Sequence, residues 1–163
     1  MIIAICGFMG AGKSTFLQTF SGVPIIDLDI AIRDEVGEDL GEYIRRSGWE
    51  KFRQLESLCL RQKVHTIGQE GLIALGGGTL EDEKNIEFLK ESGVKILHLK
   101  VDFDEAMNRI AGDANRPQLD KSRDELEELY LKREKVFSKC CDLSLVSDVN
   151  SWPTSWTLLK TLF

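Results

Sequence analysis

Nine residues near the start of the chain, Gly7-Phe8-Met9-Gly10-Ala11-Gly12-Lys13-Ser14-Thr15, contain the phosphate-binding pattern G-x-x-x-x-G-K-[ST]. They come directly after the apolar run from Ile2 to Cys6, so a buried strand, a glycine loop and a helix are expected in that order. Glycine at positions 7, 10 and 12 lets the backbone take positive φ and turn consecutive N–H groups toward an anion. Lys13 is then placed to reach the β and γ phosphates of a nucleoside triphosphate, and Ser14 to ligate Mg²⁺. The competing reading is a glycine turn between strand and helix with no ligand. The order of elements around the motif argues against it.

With 163 residues, 42% hydrophobic and 29% charged, the chain fits one compact domain spanning residues 1–163. A formal net charge of -6 argues against a nucleic-acid binder that works through a broad basic surface. An anionic ligand must therefore be held by a few local cations. No apolar run approaches the roughly 18 residues of a membrane span, and no basic leader precedes the first strand, so the expectation is a cytoplasmic protein with no membrane partner. Cys6, Cys59, Cys140 and Cys141 lack C-x-x-C spacing and read as reduced packing residues.

Short apolar runs at 2–6, 23–27, 72–75, 95–101 and 143–146 alternate with stretches of helical period. That alternation predicts an α/β fold, a parallel sheet with helices on both faces. Helices are expected over 13–20, 29–36, 40–47, 49–69, 82–92, 104–111, 122–138 and 153–162. Ser122 with Glu125, and Asp102 with Glu105, read as capping boxes. Residues 112–121 are polar and aperiodic, and predict a mobile loop that closes over bound phosphates with Arg109 and Arg116. The alternative is a solvated surface loop.

On the acceptor side, Asp27-Leu28-Asp29 ends the second strand, at the edge of a parallel sheet that faces ligands. Asp27 is expected to hold Mg²⁺ through water. Asp29 is expected to orient or deprotonate a substrate hydroxyl, or else to cap the next helix. Gly76-Gly77-Gly78 comes after the third strand and brings bare backbone to the crevice. His65 and His98 have no partner at metal-ligand or triad spacing and read as structural. Asp102, after a strand, reads as a cap rather than a metal-binding aspartate.

Taken together, these motifs resemble the shikimate kinases, small enzymes of the nucleoside-monophosphate-kinase-like branch of the P-loop fold. The resemblance runs over nearly the whole chain: residues 7–15 as the phosphate loop, Asp27-Leu28-Asp29 as D-x-D, Phe52-Arg53-Gln54-Leu55-Glu56 as F-R-x-x-E, the triple glycine, Arg109 and Arg116-Pro117 of a lid, and Lys132-Arg133 before Phe137. It implies a three-layer fold with strand order 2-3-1-4-5 and a lid over about 112–123. It further implies ATP and Mg²⁺ as cofactors, and transfer of a phosphoryl group to shikimate on the way to chorismate. Carried over, Asp29, Arg53, Gly76, Gly77, Gly78 and Arg133 would bind shikimate, with Glu56 holding Arg53. Gly10, Ala11, Gly12, Lys13, Ser14, Thr15, Arg109 and Arg116 would serve ATP, Ser14 and Asp27 Mg²⁺, and Lys13, Asp29 and Arg116 catalysis. A monomer is expected. Three departures stand out: a shortened stretch between Lys13 and Asp27, Phe137 where the family has tyrosine, and Asn150-Ser151-Trp152 where it often has arginine against adenine. A kinase for another small hydroxy acid such as gluconate, a nucleotide-dependent switch and a silent nucleotide-binding module remain alternatives, although no N-K-x-D element supports a guanine-type switch.

Overall fold

A computed structural model describes residues 1–111 and 121–163. Five parallel strands form one sheet in the order β2-β3-β1-β4-β5: β1 is Ile2–Cys6, β2 Ile25–Asp27, β3 Gly71–Ala74, β4 Lys95–Lys100 and β5 Leu143–Val146. The helices are α1 (Lys13–Gln18), α2 (Leu28–Val36), α3 (Leu40–Ser47), α4 (Trp49–Thr66), α5 (Glu83–Glu91), α6 (Phe103–Ile110), α7 (Arg123–Cys140) and α8 (Trp156–Lys160). The fold class and strand order expected from the sequence are those observed. The lid expected over 112–123, with Arg116, lies outside the described residues up to position 120.

Burial on both faces explains why the central strands read as unbroken apolar runs. Ile3 and Ile5 of β1 point into a core shared with Leu97 and Leu99, Phe16 of α1, Ala106 of α6 and Leu159 of α8. Ala4 and Cys6 alternate onto the opposite face, against Ile32 of α2, Leu60 of α4, Leu89 of α5 and Phe137 of α7. Phe16 is fully buried and meets Phe20 and Trp152 edge-on, with ring centroids 5.0 and 5.1 Å away. Phe137 belongs to this interior too, tilted against buried His98 at 5.1 Å, so its ring is core. His98 Nε2 lies 3.0 Å from Glu134, and His65 Nδ1 donates to the Arg61 carbonyl at 2.7 Å while its ring stacks on Phe88, as structural histidines do. All four cysteines are free; burial pushes the Cys6 thiol well up and the Cys140 thiol up to about 11, which leaves these two unreactive. Among the described residues no helix is long and apolar enough to cross a membrane.

Parallel connectivity brings the carboxyl ends of β1, β2 and β3 to one edge, and these ends lead into residues 7–12, Asp27 and residues 76–78 respectively. The helices that leave this region start in different ways. At α7 the Ser122 hydroxyl accepts from the Glu125 N–H while the Glu125 carboxylate accepts from the Ser122 N–H at 2.7 Å, a complete capping box. At α6 the expected box is not formed. Asp102 has the backbone geometry of a cap but its side chain makes no cap bond, and the Glu105 carboxylate, the other half of the box, accepts instead from the Arg109 guanidinium one turn on, at 2.9 Å.

Ser122→Ala should therefore cost about 1 kcal/mol, lowering Tm by roughly 2–4 °C, while Asp102→Ala should stay within about 0.5 kcal/mol of wild type. Thermal unfolding followed by circular dichroism measures both, and equal losses would contradict the assignment.

Candidate active site

The phosphate loop closes on itself through two glycines with φ of 79° at Gly10 and 81° at Gly12, angles at which any other side chain is strained. Gly12 is also the cap of α1 and carries no side chain to satisfy the first helical N–H groups, which stay available to an anion. Lys13 folds back over the loop, its Nζ donating to the Gly7 carbonyl at 2.8 Å and the Phe8 carbonyl at 3.4 Å. The ammonium is thus held above the loop's own backbone.

Asp27 does two things. Its Oδ1 accepts from the N–H groups of Asp29 and Ile30, so Asp27 rather than Asp29 caps α2, and its Oδ2 accepts from the Ser14 hydroxyl at 2.9 Å. The Ser14 and Asp27 oxygens form a hard-oxygen pair beside the loop, the donor type that Mg²⁺ takes. Among the described residues no group of three or more His, Cys, Asp or Glu could hold a metal, so a cation at this pair would complete its shell with phosphate and water oxygens.

Behind the loop, the residue just past β5 supplies an anchor. The Ser147 hydroxyl donates to the Ala11 carbonyl at 2.7 Å, and Arg109 donates to Ser147 Oγ, to the Ser147 carbonyl at 2.9 Å and to the Gly10 carbonyl at 3.1 Å. Gly12, Thr15, Arg109, Ser147, Asn150 and Trp152 are among the residues lining a shallow cavity here, of about 450 Å³.

A second cavity, of about 410 Å³, opens on the other side of Lys13 and is lined by Asp29, Arg53, Glu56, residues 76–78 and Arg133. Glu56, buried on α4, accepts from Arg53 Nη1 at 2.7 Å and from the Thr79 hydroxyl at 2.7 Å. Thr79 is fixed in turn by Asn85, which donates to its carbonyl at 2.9 Å. Both guanidiniums lie on the triple glycine. A Cβ at Gly78 would overlap Arg53 Nη2 and stand 2.9 Å from Arg133 Nη2, and one at Gly77 would stand 3.0 Å from Arg133 Nη1. Arg53 also stacks beside Trp49, 5.1 Å from its ring.

Arg133 is 3% exposed, and its Nε donates to Glu81 Oε1 at 3.4 Å. Burial presses the guanidinium below its ordinary pKa while Glu81 holds it up. Burial likewise opposes ionisation of Glu81, but Arg133, Lys132 and Arg53 outweigh it and hold this carboxyl below the usual glutamate range. Both groups are charged near neutrality.

The structure therefore brings Lys13, Asp29, Arg53, Gly76, Gly77, Gly78 and Arg133 around one cavity, and Gly12, Thr15 and Arg109 around the other. Arg116 lies outside the described residues. Sequence reasoning missed Glu81 and Ser147. Ser147 stands just past the carboxyl end of β5, where the position alone was a usable signal; Glu81 gave none, since its partners lie 51 and 52 residues on.

A family model described as shikimate kinase matches residues 9–155. The shikimate kinase of Persephonella marina is 33% identical over 141 residues, covering 84% of each chain. The pentafunctional AROM polypeptide of Scheffersomyces stipitis is 31% identical over 151 residues, or 89% of this chain; the match spans only 9% of that much longer relative. The solved shikimate kinase of Acinetobacter baumannii, a complex with shikimate, superposes with a TM-score of 0.84 at 24% identity, covering 99% of this chain and 90% of the other.

Glu56→Ala should destabilise the fold by about 2–3 kcal/mol, since it strips a charge partner from Arg53 and an acceptor from the buried Thr79 hydroxyl. The urea unfolding midpoint measures this, and an unchanged midpoint would show the network to be dispensable.

Proposed function

This chain belongs to the shikimate kinase family, and we propose on that premise that it transfers the γ-phosphoryl group of ATP to a ring hydroxyl of shikimate, giving 3-phosphoshikimate and ADP. One observation carries the reading: a carboxylate, Asp29, and two guanidiniums, Arg53 and Arg133, meet around a single cavity that the phosphate-loop lysine also lines. A carbocyclic acid bearing hydroxyls matches that set. Its carboxylate suits the two planar forks, which pair with carboxylates bidentately, and its hydroxyl suits Asp29.

Phosphoryl transfer asks for placement and for positive charge more than for covalent chemistry. In this reading the substrate hydroxyl donates a hydrogen bond to Asp29, and its oxygen attacks the γ-phosphorus. The bond to the β–γ bridging oxygen breaks, ADP departs, and the hydroxyl proton passes to Asp29. Lys13 swings from the Gly7 and Phe8 carbonyls onto the phosphates and offsets charge on the transferring group. Ser14 and Asp27 would hold Mg²⁺. Held there, it would supply positive charge to the phosphates during transfer. Arg109 and the amides of residues 10–15 hold the triphosphate, the cavity beside Thr15 takes the nucleoside end, and Arg116 of the lid adds a cation and excludes water. The same reading makes residues 1–163 a single kinase domain, a cytoplasmic monomer acting on small molecules.

An ADP-release assay offering shikimate, gluconate and water as acceptors tests the proposal. Turnover with shikimate alone is expected; gluconate turnover would name a different acid, and water-only turnover a nucleotide switch. Lys13→Ala should lower kcat by about 10²-fold or more while leaving the thermal transition intact. Retained activity would remove Lys13 from the chemistry. Arg133→Lys keeps the charge but loses the fork, and should raise the shikimate KM about tenfold, equivalent to roughly 1.4 kcal/mol.

A further inference from the structure

Glu81 stands on the short 3-10 turn Thr79–Glu81 that leaves the triple glycine, and its carboxylate reaches across to both arginines of the acceptor cavity. Its Oε1 is 3.4 Å from Arg133 Nε and 3.4 Å from Lys132 Nζ; its Oε2 is 3.9 Å from Arg53 Nη2. Three cations from α4 and α7 therefore converge on one side chain, 21% exposed. The terminal nitrogens of the same guanidiniums lie against residues 77 and 78, on the cavity wall. Glu56 meanwhile occupies Arg53 Nη1. An anionic acceptor entering the cavity thus brings a third carboxylate to two guanidiniums that already share two.

We infer that Glu81 is a positioning residue and a resident counter-ion: it holds Arg133 and Arg53 spread along the triple glycine, and its charge lowers the affinity of the cavity for the carboxylate of the acceptor. The inference rests on the reading of that cavity as the shikimate site. Its physical content is a balance of two effects. Without a counter-ion, buried Arg133 would be a lone charge in the unliganded protein, at high cost. With one, the incoming carboxylate meets a like charge beside the guanidiniums, at a separation well inside the screening length and across partly buried protein. Substrate binding is weakened in exchange for an ordered, ready site. Lys132, exposed on α7, moderates the effect by taking part of the Glu81 charge.

The test is Glu81→Gln, whose amide oxygen still accepts from Arg133 Nε but carries no charge. In steady-state kinetics the variant should show a shikimate KM about five- to tenfold lower than wild type with kcat within about twofold, since Lys13 and Asp29 are untouched. Calorimetric titration should show the same gain for shikimate and none for its uncharged methyl ester. A residue that only shaped the pocket would weaken both ligands, so a lowered or unchanged shikimate affinity, or an equal gain for the ester, would overturn the inference. Lys132→Gln gives a second variant at an exposed position that cannot disturb the core. It leaves the Glu81 charge less compensated and should raise the shikimate KM several-fold with kcat unchanged; a KM that stays put or falls would count against the inference independently of how Glu81→Gln folds. If the wild-type protein neither binds nor phosphorylates shikimate, the functional reading fails and the inference with it. Wild-type turnover with unmoved KM values in both variants overturns the inference alone.

Discussion

No side chain stands at residue 78, and the arginine-lined cavity depends on that bareness. Arg53 Nη2 occupies the volume a Cβ would need, and Arg133 Nη2 stands 2.9 Å from the same point. Two cations reach one small patch of wall because the chain leaves β3 there as bare backbone. The patch is in turn held rigid. Glu56 ties Arg53 to Thr79, Thr79 is tied to Asn85 near the start of α5, and Asn85 accepts from Arg61 of α4 at 3.0 Å. The network returns to the helix it began on, so the arginine that faces the cavity is fixed from behind by groups that do not.

Electrostatic balance comes out of the same packing. Asp29, Asp39, Glu56 and Glu81 are set against Lys13, Arg33, Arg53 and Arg133, four acidic groups and four basic ones on or beside one cavity, with exposed Lys132 a further cation on Glu81. In a chain of net charge -6 this local neutrality is an achievement of placement. It lets a site for an anion persist on an acidic protein without a basic surface around it. It also distributes roles: Glu56 is buried and structural, Asp29 faces the cavity, and Glu81 stands between the two cations whose spacing decides what can bind.

What could be read from the sequence divides along a physical line. The phosphate loop, the D-x-D at 27–29 and the triple glycine each work through neighbours in the chain, so their spacing is visible in one dimension, and the alternation of apolar runs with helical periods points to the layered sheet for the same reason. The clamp formed by Arg53 and Arg133 is visible only through family resemblance, because residues so far apart in the chain carry no local signature. The Ser147 bond to Ala11 spans 136 residues and the Glu81 contact with Arg133 spans 52; Ser147 is flagged only by its place after β5, and Glu81 by nothing local. The misread cap at Asp102 has a different origin. Asp102 does stand at the cap position, but its side chain makes no cap bond, and the glutamate that would have returned the bond pairs with Arg109.

One carboxylate joins the two halves of the site without forcing them to move together. Asp27 gives Oδ1 to the first turn of α2 and Oδ2 to Ser14, so the two tasks use separate atoms. If the serine hydroxyl rotates toward a cation, the lost bond is on one oxygen and the helix keeps the other. In the proposed kinase cycle the nucleotide side would charge and empty while α2, and Asp29 upon it, stays in register: a mechanical clutch built from the two lone ends of a single side chain.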